Sequence, residues 1–454
     1  MVATLLMLLL YSIFAYELDR SDLPKLIGLV FGLFVFSYLL IERFALSFKT
    51  LFVIGILARL VFLIALPNLS QDFYRFIWDG RLFLAGLNPY DYTVFEILTE
   101  QYVSNFQEPI EIAQSQLLYQ GMGELNASNF SNYPPVNQML FTLSAWIGGK
   151  SITATVVVMR LLLILADIGI LFVGKQILEK LNLDPKTIFW YFLNPFIIIE
   201  LTGNLHFEGA MLFFMLAGIL LLLNKHYVVA GLFVGISISV KLIPLMLLPL
   251  FFRHFVPKWR LDKGWIRLGE FYLASLVAVA ATFLPFISLD FLDNFSKSIG
   301  LWFQSFEFNA SIYYIIRWIG YETIGWNIIA DVGRVLPLII IGVLVLLGLF
   351  RKIKSTVDLF SGLLLAISFY FLLSTTVHPW YIATPLLFSL FTRYRFALVW
   401  SGMVFFSYHA YGAEGFSENL WIVGLEYLVV LGVFVWDLKR IGFTTSLDKT
   451  LLSP

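Results

Sequence analysis

The chain has 454 residues, 30 basic and 30 acidic side chains, 59% hydrophobic residues and only 13% charged ones, with a mean hydropathy of +0.85. Soluble globular chains carry nearer ~25% charged residues, so that class is excluded, and the zero net charge argues against nucleic acid as a partner. There is no cysteine, hence no disulfide framework and no thiolate metal site.

Apolar blocks of near-spanning length recur from end to end, which predicts an all-α polytopic membrane protein with about 12–14 transmembrane helices. The expected segments are 2–16, 24–41, 51–67, 152–173, 187–202, 207–223, 227–241, 242–252, 268–287, 335–350, 357–376, 380–392, 396–412 and 419–436. Several fall short of the ~20 residues needed to cross upright. MVATLLMLLLYSIFAY at the start lacks a basic n-region and a small-residue cleavage site, and reads as a retained first span. The chain is expected to form one integral membrane domain. Residues 1–67 supply three spans, 68–135 a first outer loop with interfacial helices, 136–287 the central spans, 288–334 a second outer loop, and 335–454 the last spans. Loops of such length inside a compact domain are usually functional.

The first outer loop opens with SQDFYRFIWDGRLFLAGLNPY, Ser70 to Tyr90. Asp72, Arg75 and Asp79 fall at i, i+3 and i+7, so a helix projects all three from one face. Trp78, Leu82 and Phe83 lie on a more apolar side, the pattern of a helix in the membrane interface. A carboxylate beside a guanidinium at a bilayer surface suits a phosphate-activated substrate. An ordinary solvated amphipathic helix accounts for the same spacing.

Orientation follows from lysine and arginine asymmetry. Loop 68–135 has eight acidic residues against two basic ones, Arg75 and Arg81. Arg253, Lys258, Arg260, Lys263 and Arg267 crowd one short connection, and Arg351, Lys352 and Lys354 another. Arg393 with Arg395, and Lys439 with Arg440, mark two more. With these in the cytoplasm, both long loops are expected to face outward and both termini inward. Val136 to Gly149 is then a partial or re-entrant helix, because a full crossing would carry Lys175, Lys180 and Lys186 outside.

On this topology a polar set converges on the outer face. Asp72 and Arg75 open the first loop and Tyr133-Pro134-Pro135 closes it. Asn204, His206 and Glu208 sit between two spans, Lys241 joins two short ones, and His378, Trp380 and Tyr381 lie between two more. With Asp79 on the Asp72 helix, these are the candidate substrate-contacting residues. Ionisable groups in a bilayer centre cost roughly 2.5–3.5 kcal/mol each, and irregular backbone there is tolerated mainly around a cavity. Each residue also has a plainer account: Lys241 can snorkel to the interface, and His206 and Glu208 can satisfy each other. Trp380 and Tyr381 can belong to an aromatic belt, and Arg160 with Asp167 reads as an internal ion pair. No GxGxxG, GxxxxGK[ST], HExxH or GxSxG motif is present.

QDFYRFIWDGRLFLAGLNPY, NYPP, NPFIIIELTGNLHFEG, SVKLIP and HPWY together resemble the GT-C superfamily of membrane glycosyltransferases. More narrowly, they resemble the bacterial polyprenol-phosphate-mannose-dependent mannosyltransferases related to the enzyme that adds the first mannose of GPI anchors. The resemblance runs from about Leu51 onward, with the first two spans extra to the simplest family plan. It implies transfer of a hexose, mannose by the narrower likeness, from a polyprenyl-phosphate carrier to a lipid-linked or other glycan acceptor. It also implies that Asp72 is the general base and that Arg75, Lys241 and His378 bind the donor phosphate. Many members carry two adjacent acidic residues or Asp-x-Asp at the first-loop site. Gln71-Asp72-Phe73 departs from this, so no metal ligands are assigned and a divalent ion stays an open question. A lipid or sugar transporter or flippase, and an outer-face glycan ligase or polymerase, are the competing classes.

Overall fold

The computed structural model describes residues 1–99, 111–413 and 415–450. Helices dominate, and the only sheet among these residues is a two-stranded hairpin, Tyr411–Gly412 with Gly415–Phe416. The protein is an all-α polytopic membrane protein. Among the described residues, six helices are long and apolar enough to cross a bilayer: Leu23–Arg43, Ile152–Lys180, Lys263–Phe286, Ile329–Phe350, Thr356–Leu373 and Leu420–Gly442. A seventh candidate, Ile197–Gly203 with Glu208–Leu223, is bent by 109° at its break, and four shorter apolar helices accompany it. Among the described residues, helices of full spanning length are therefore fewer than the apolar segments in the sequence. Pro185, Pro244, Pro249 and Pro379 sit in 3₁₀ turns that shorten the intervening pieces. Large apolar side chains such as Leu338, Ile341, Leu428 and Trp436 stay exposed, as a lipid-facing surface requires.

Alternation of the helices gives the bundle two chemically different ends. Lys186 donates to the carbonyl of Leu46 at 2.9 Å and Lys175 lies 5.2 Å over the Phe48 ring, so connections 43–47 and 181–186 share one end. Arg395 at that end donates its backbone N–H to Asp437 at 2.6 Å. Asp72 lies at the other end, beyond the top of helix Phe48–Leu60. Helix Pro135–Gly148 has 14 residues, a reach of about 21 Å against a hydrocarbon core of about 30 Å. It packs along helix Asp72–Leu84, and Arg81 donates to the carbonyl of Gly149 at 3.4 Å. Helix Ile152–Lys180 thus starts at the Asp72 end and finishes at the lysine end.

Two buried arginines fix the frame. Arg59 donates to Asp167 at 2.8 Å and to the carbonyls of Gly55 and Phe192, tying helix Phe48–Leu60 to helix Ile152–Lys180. Arg160 donates to the carbonyls of Thr202, Leu63 and Gly203 at 2.8, 2.8 and 2.9 Å. The expected Arg160–Asp167 pair is corrected here: seven residues place the two groups about 10 Å apart along the axis, and each turns to a different neighbour. The carbonyls that take Arg160 are those a helix end leaves without partners. Helices Tyr227–Val240 and Lys263–Phe283 approach backbone to backbone, since a Cβ on Gly231 or Gly235 would strike the carbonyls of Phe271 or Ser275. Lys241 follows directly on the first of these helices, so this close contact sets its height.

Candidate active site

Asp72 begins helix Asp72–Leu84, and its approach is anchored from behind. Asn204 accepts the backbone N–H of Leu69 at 3.0 Å and donates to the carbonyl of Ile199 at 3.2 Å. Asn68 donates to the carbonyl of Phe14 at 2.7 Å. Asn204 is thus engaged in positioning the chain that leads to Asp72. The protein packed around Asp72 raises its carboxyl from the ordinary range to about 6; the Lys241 ammonium pulls it down and the Glu208 carboxylate pushes it up. Part of the residue's surface nevertheless stays open.

Lys241 reaches Glu208 in a close ion pair and stands 5.6 Å over the Tyr381 ring. Glu208 occupies the first turn of helix Glu208–Leu223, where the helix dipole favours an anion. Its second oxygen has no partner among the described residues. The side chain of Lys241 keeps 16% of its surface exposed, so this cation is held at the edge of the cluster rather than sealed in it. The geometry behind this arrangement is irregular backbone. Ile197–Gly203 is a π-helix, and Leu205 follows with φ of +62°, a conformation that costs a branched side chain of order 1–3 kcal/mol. The turn aims Asn204, His206 and Glu208 at Asp72's end of the bundle.

Trp380 is sandwiched between two imidazoles. His206 stacks on it at 3.6 Å between ring centroids and His378 at 4.5 Å. Phe308 lies 5.3 Å beyond His378 and continues the stack. With both indole faces covered, only the edge of Trp380 remains for a ligand, and it forms no open aromatic belt position. Burial pushes the His378 imidazolium down to about 3, with Lys241 adding to the effect. His378 is therefore neutral at physiological pH and brings no positive charge to a phosphate. His206 Nε2 stands 4.0 Å from Glu200, whose other oxygen accepts from Tyr408 at 2.8 Å. The expected His206–Glu208 pair gives way to these contacts and to Lys241–Glu208.

Arg75 and Asp79 are directed elsewhere. Arg75 Nε donates to Asp79 at 2.7 Å, and its Nη1 donates to the carbonyls of Asn126 and Asn129, both at 2.9 Å. Asp79 also accepts from Ser131 and Gln138 at 2.6 and 3.0 Å. Both side chains are buried and brace the first loop against helix Pro135–Gly148. Where Arg75 was expected at the donor phosphate and Asp79 at the substrate, this placement commits Arg75 Nε and Nη1 and both Asp79 oxygens to the brace. Tyr133 and Tyr381 do lie within the field of Asp72, and the Tyr90 hydroxyl fixes the Tyr133 carbonyl at 2.6 Å.

One residue of this end escaped sequence reasoning. Arg20, in the short connection between the first two helices, stacks 4.3 Å over Tyr411 and donates to the carbonyl of Leu69 at 3.3 Å. Tyr411 also feels Asp72. A lone arginine in a short loop carries no periodic signal that could have marked it. Among the described residues no group of three or more His, Asp or Glu stands at metal-holding geometry. What the cluster offers is a carboxylate poised near neutrality, a partly exposed ammonium close by, and a guanidinium anchored to the strand that leads into Asp72.

The sequence profile described as alpha-(1->6)-mannopyranosyltransferase, N-terminal domain, matches residues 23–256. It takes in the second helix, read above as extra, and stops before the His378 segment. Alpha-(1->6)-mannopyranosyltransferase A of Mycobacterium tuberculosis is 22% identical over 274 residues, which are 60% of this chain and 48% of the relative. The protein of the same name from Corynebacterium glutamicum is 21% identical over 349 residues, covering 70% of this chain and 66% of the relative. The chain spans about half to two thirds of the length of these curated relatives. The matched half of the chain carries Asp72, the π-helix, Glu208 and Lys241, and on that match the chain belongs to the MptA_B family, that of the alpha-(1->6)-mannopyranosyltransferase N-terminal domain.

Proposed function

We propose that the protein transfers a mannosyl residue from a polyprenyl-phosphate carrier to a hydroxyl of a lipid-linked or other glycan acceptor, on the outer side of the membrane. Asp72 serves as general base. The observation that carries this reading is a partly open carboxylate, raised to about 6, within the field of a lysine held at the same end of the bundle. The relatives' names supply the sugar.

In the step, Asp72 accepts the proton of the acceptor hydroxyl as that oxygen bonds to the anomeric carbon. The bond from that carbon to the phosphate oxygen breaks, and the polyprenyl phosphate leaves with the electron pair. A carboxyl near 6 is ionised at neutral pH yet a stronger base than an ordinary aspartate. Lys241 stabilises the charge gathering on the departing phosphate, and Arg20 is the second cation for the same anion. Neutral His378 and the edge of Trp380 shape the sugar subsite without adding charge. Asn204 and the Arg75–Asp79 brace position the first loop. The test is to incubate membranes containing the protein with radiolabelled polyprenyl-phosphate mannose and a lipid extract. A labelled glycolipid absent from control membranes is expected; label that stays on the donor would refute the assignment.

A further inference from the structure

At the opposite end of the bundle, a groove of about 540 Å³ opens between helix Phe48–Leu60, helix Ile152–Lys180 and the turn at Pro185. Three lysines, Lys49, Lys175 and Lys186, converge on it, and Phe48, Phe52 and Phe172 form its walls. We propose that this groove binds an anionic phospholipid, with its phosphodiester among the lysines and the start of an acyl chain along the phenylalanines.

The charges do not cancel within the protein. Asp184, the acidic residue of the lining, spends a carboxylate oxygen on the backbone N–H of Lys186 at 2.9 Å. Lys175 reaches Glu179 at 3.5 Å, with both side chains well exposed. Lys186 gives one N–H to the carbonyl of Leu46 and retains two more donors. Lys49 is exposed at the first turn of its helix, where the dipole adds positive potential. The walls are apolar and open sideways: Phe172 keeps 46% of its surface exposed, and Phe52 packs 5.9 Å from both Phe172 and Phe192. A soluble anion would satisfy the lysines but leave this aromatic face bare. A phospholipid covers both, and basic pockets between membrane helices on this kind of surface bind lipid head groups.

The experiment compares spin-labelled phosphatidylglycerol with spin-labelled phosphatidylcholine bound to the purified full chain in phosphatidylcholine vesicles. Each surface lysine is worth about fivefold in attraction to an anionic lipid, so the intact protein should prefer phosphatidylglycerol by about fivefold or more. Combined Lys49→Gln, Lys175→Gln and Lys186→Gln should abolish the preference, and the corresponding arginine variants should keep it. Removing the same charge from Lys258, Lys352 and Lys354, which lie outside the groove, should leave it intact. Should the glutamine variant fail to fold, high salt on the intact protein provides the second measurement, since it should remove the preference. No preference in the intact protein, equal loss in the control variant, or displacement of the lipid by inorganic phosphate would each overturn the proposal.

Discussion

Glu208 is buried with one oxygen already lacking a partner, so its tolerance in the fold depends on Lys241. Lys241→Met should lower donor affinity about tenfold or more, the worth of one charge-assisted contact. It should also reduce stability, because it strands a buried charge. Adding Glu208→Gln should recover the melting temperature but not donor affinity, measured by titration of the donor lipid; recovery of both would make the pair purely structural. Asp72 gives a pH signature. With its carboxyl raised to about 6, the base is lost by protonation as pH falls. The rate constant kcat/KM should therefore be flat above neutrality, half-maximal near pH 6, and fall about tenfold per unit below that. An unchanged rate well below pH 6 would remove Asp72 from the chemistry. Asp79→Asn, on the same helix, should act differently. It weakens the buried partner of Arg75 and should cost several kcal/mol of stability, visible as a lower melting temperature.

Helix periodicity places Asp72, Arg75 and Asp79 on one face, but it says nothing about what covers that face along its length. The first loop closes over Arg75 and Asp79, while Asp72 stays at the rim of the helix; burial by a loop distant in sequence leaves no trace in spacing. The apolar segments were legible because their lengths and flanking charges are local properties. The 109° break and the π-helix were not, since they depend on contacts such as Arg160 with the carbonyls of Thr202 and Gly203. Lys241 was legible as an ionisable group between two short spans, and Arg20 was not, because its role comes only from Tyr411 and Leu69 folding against it. The closeness of helices Tyr227–Val240 and Lys263–Phe283 makes an element-level prediction. Gly235→Val must push them apart, costing about 1–3 kcal/mol as overpacking does. Because Lys241 ends the first helix, donor affinity should fall together with the melting temperature, whereas the same change at open Gly342 should do neither.

The whole bundle is polarised: the candidate site lies at one end, and the groove of Lys49, Lys175 and Lys186 at the other. On the charge rule, loops 68–135 and 288–334 are expected outside and 253–267 in the cytoplasm. Ser104, a natural labelling position in the first loop, lies outside the described residues. Ser128 is exposed in the same loop and Leu261 in the basic connection. In this cysteine-free chain, Ser128→Cys should react with an impermeant thiol reagent on intact cells, and Leu261→Cys only after permeabilisation. The most direct measurement of the central claim is single-turnover mannosyl transfer by Asp72→Asn beside the unaltered protein, with donor binding measured on both. The substitution keeps size and removes basicity, so transfer should fall by about 10²–10⁴ while donor affinity stays the same. Transfer within a few fold of the unaltered protein would contradict the account.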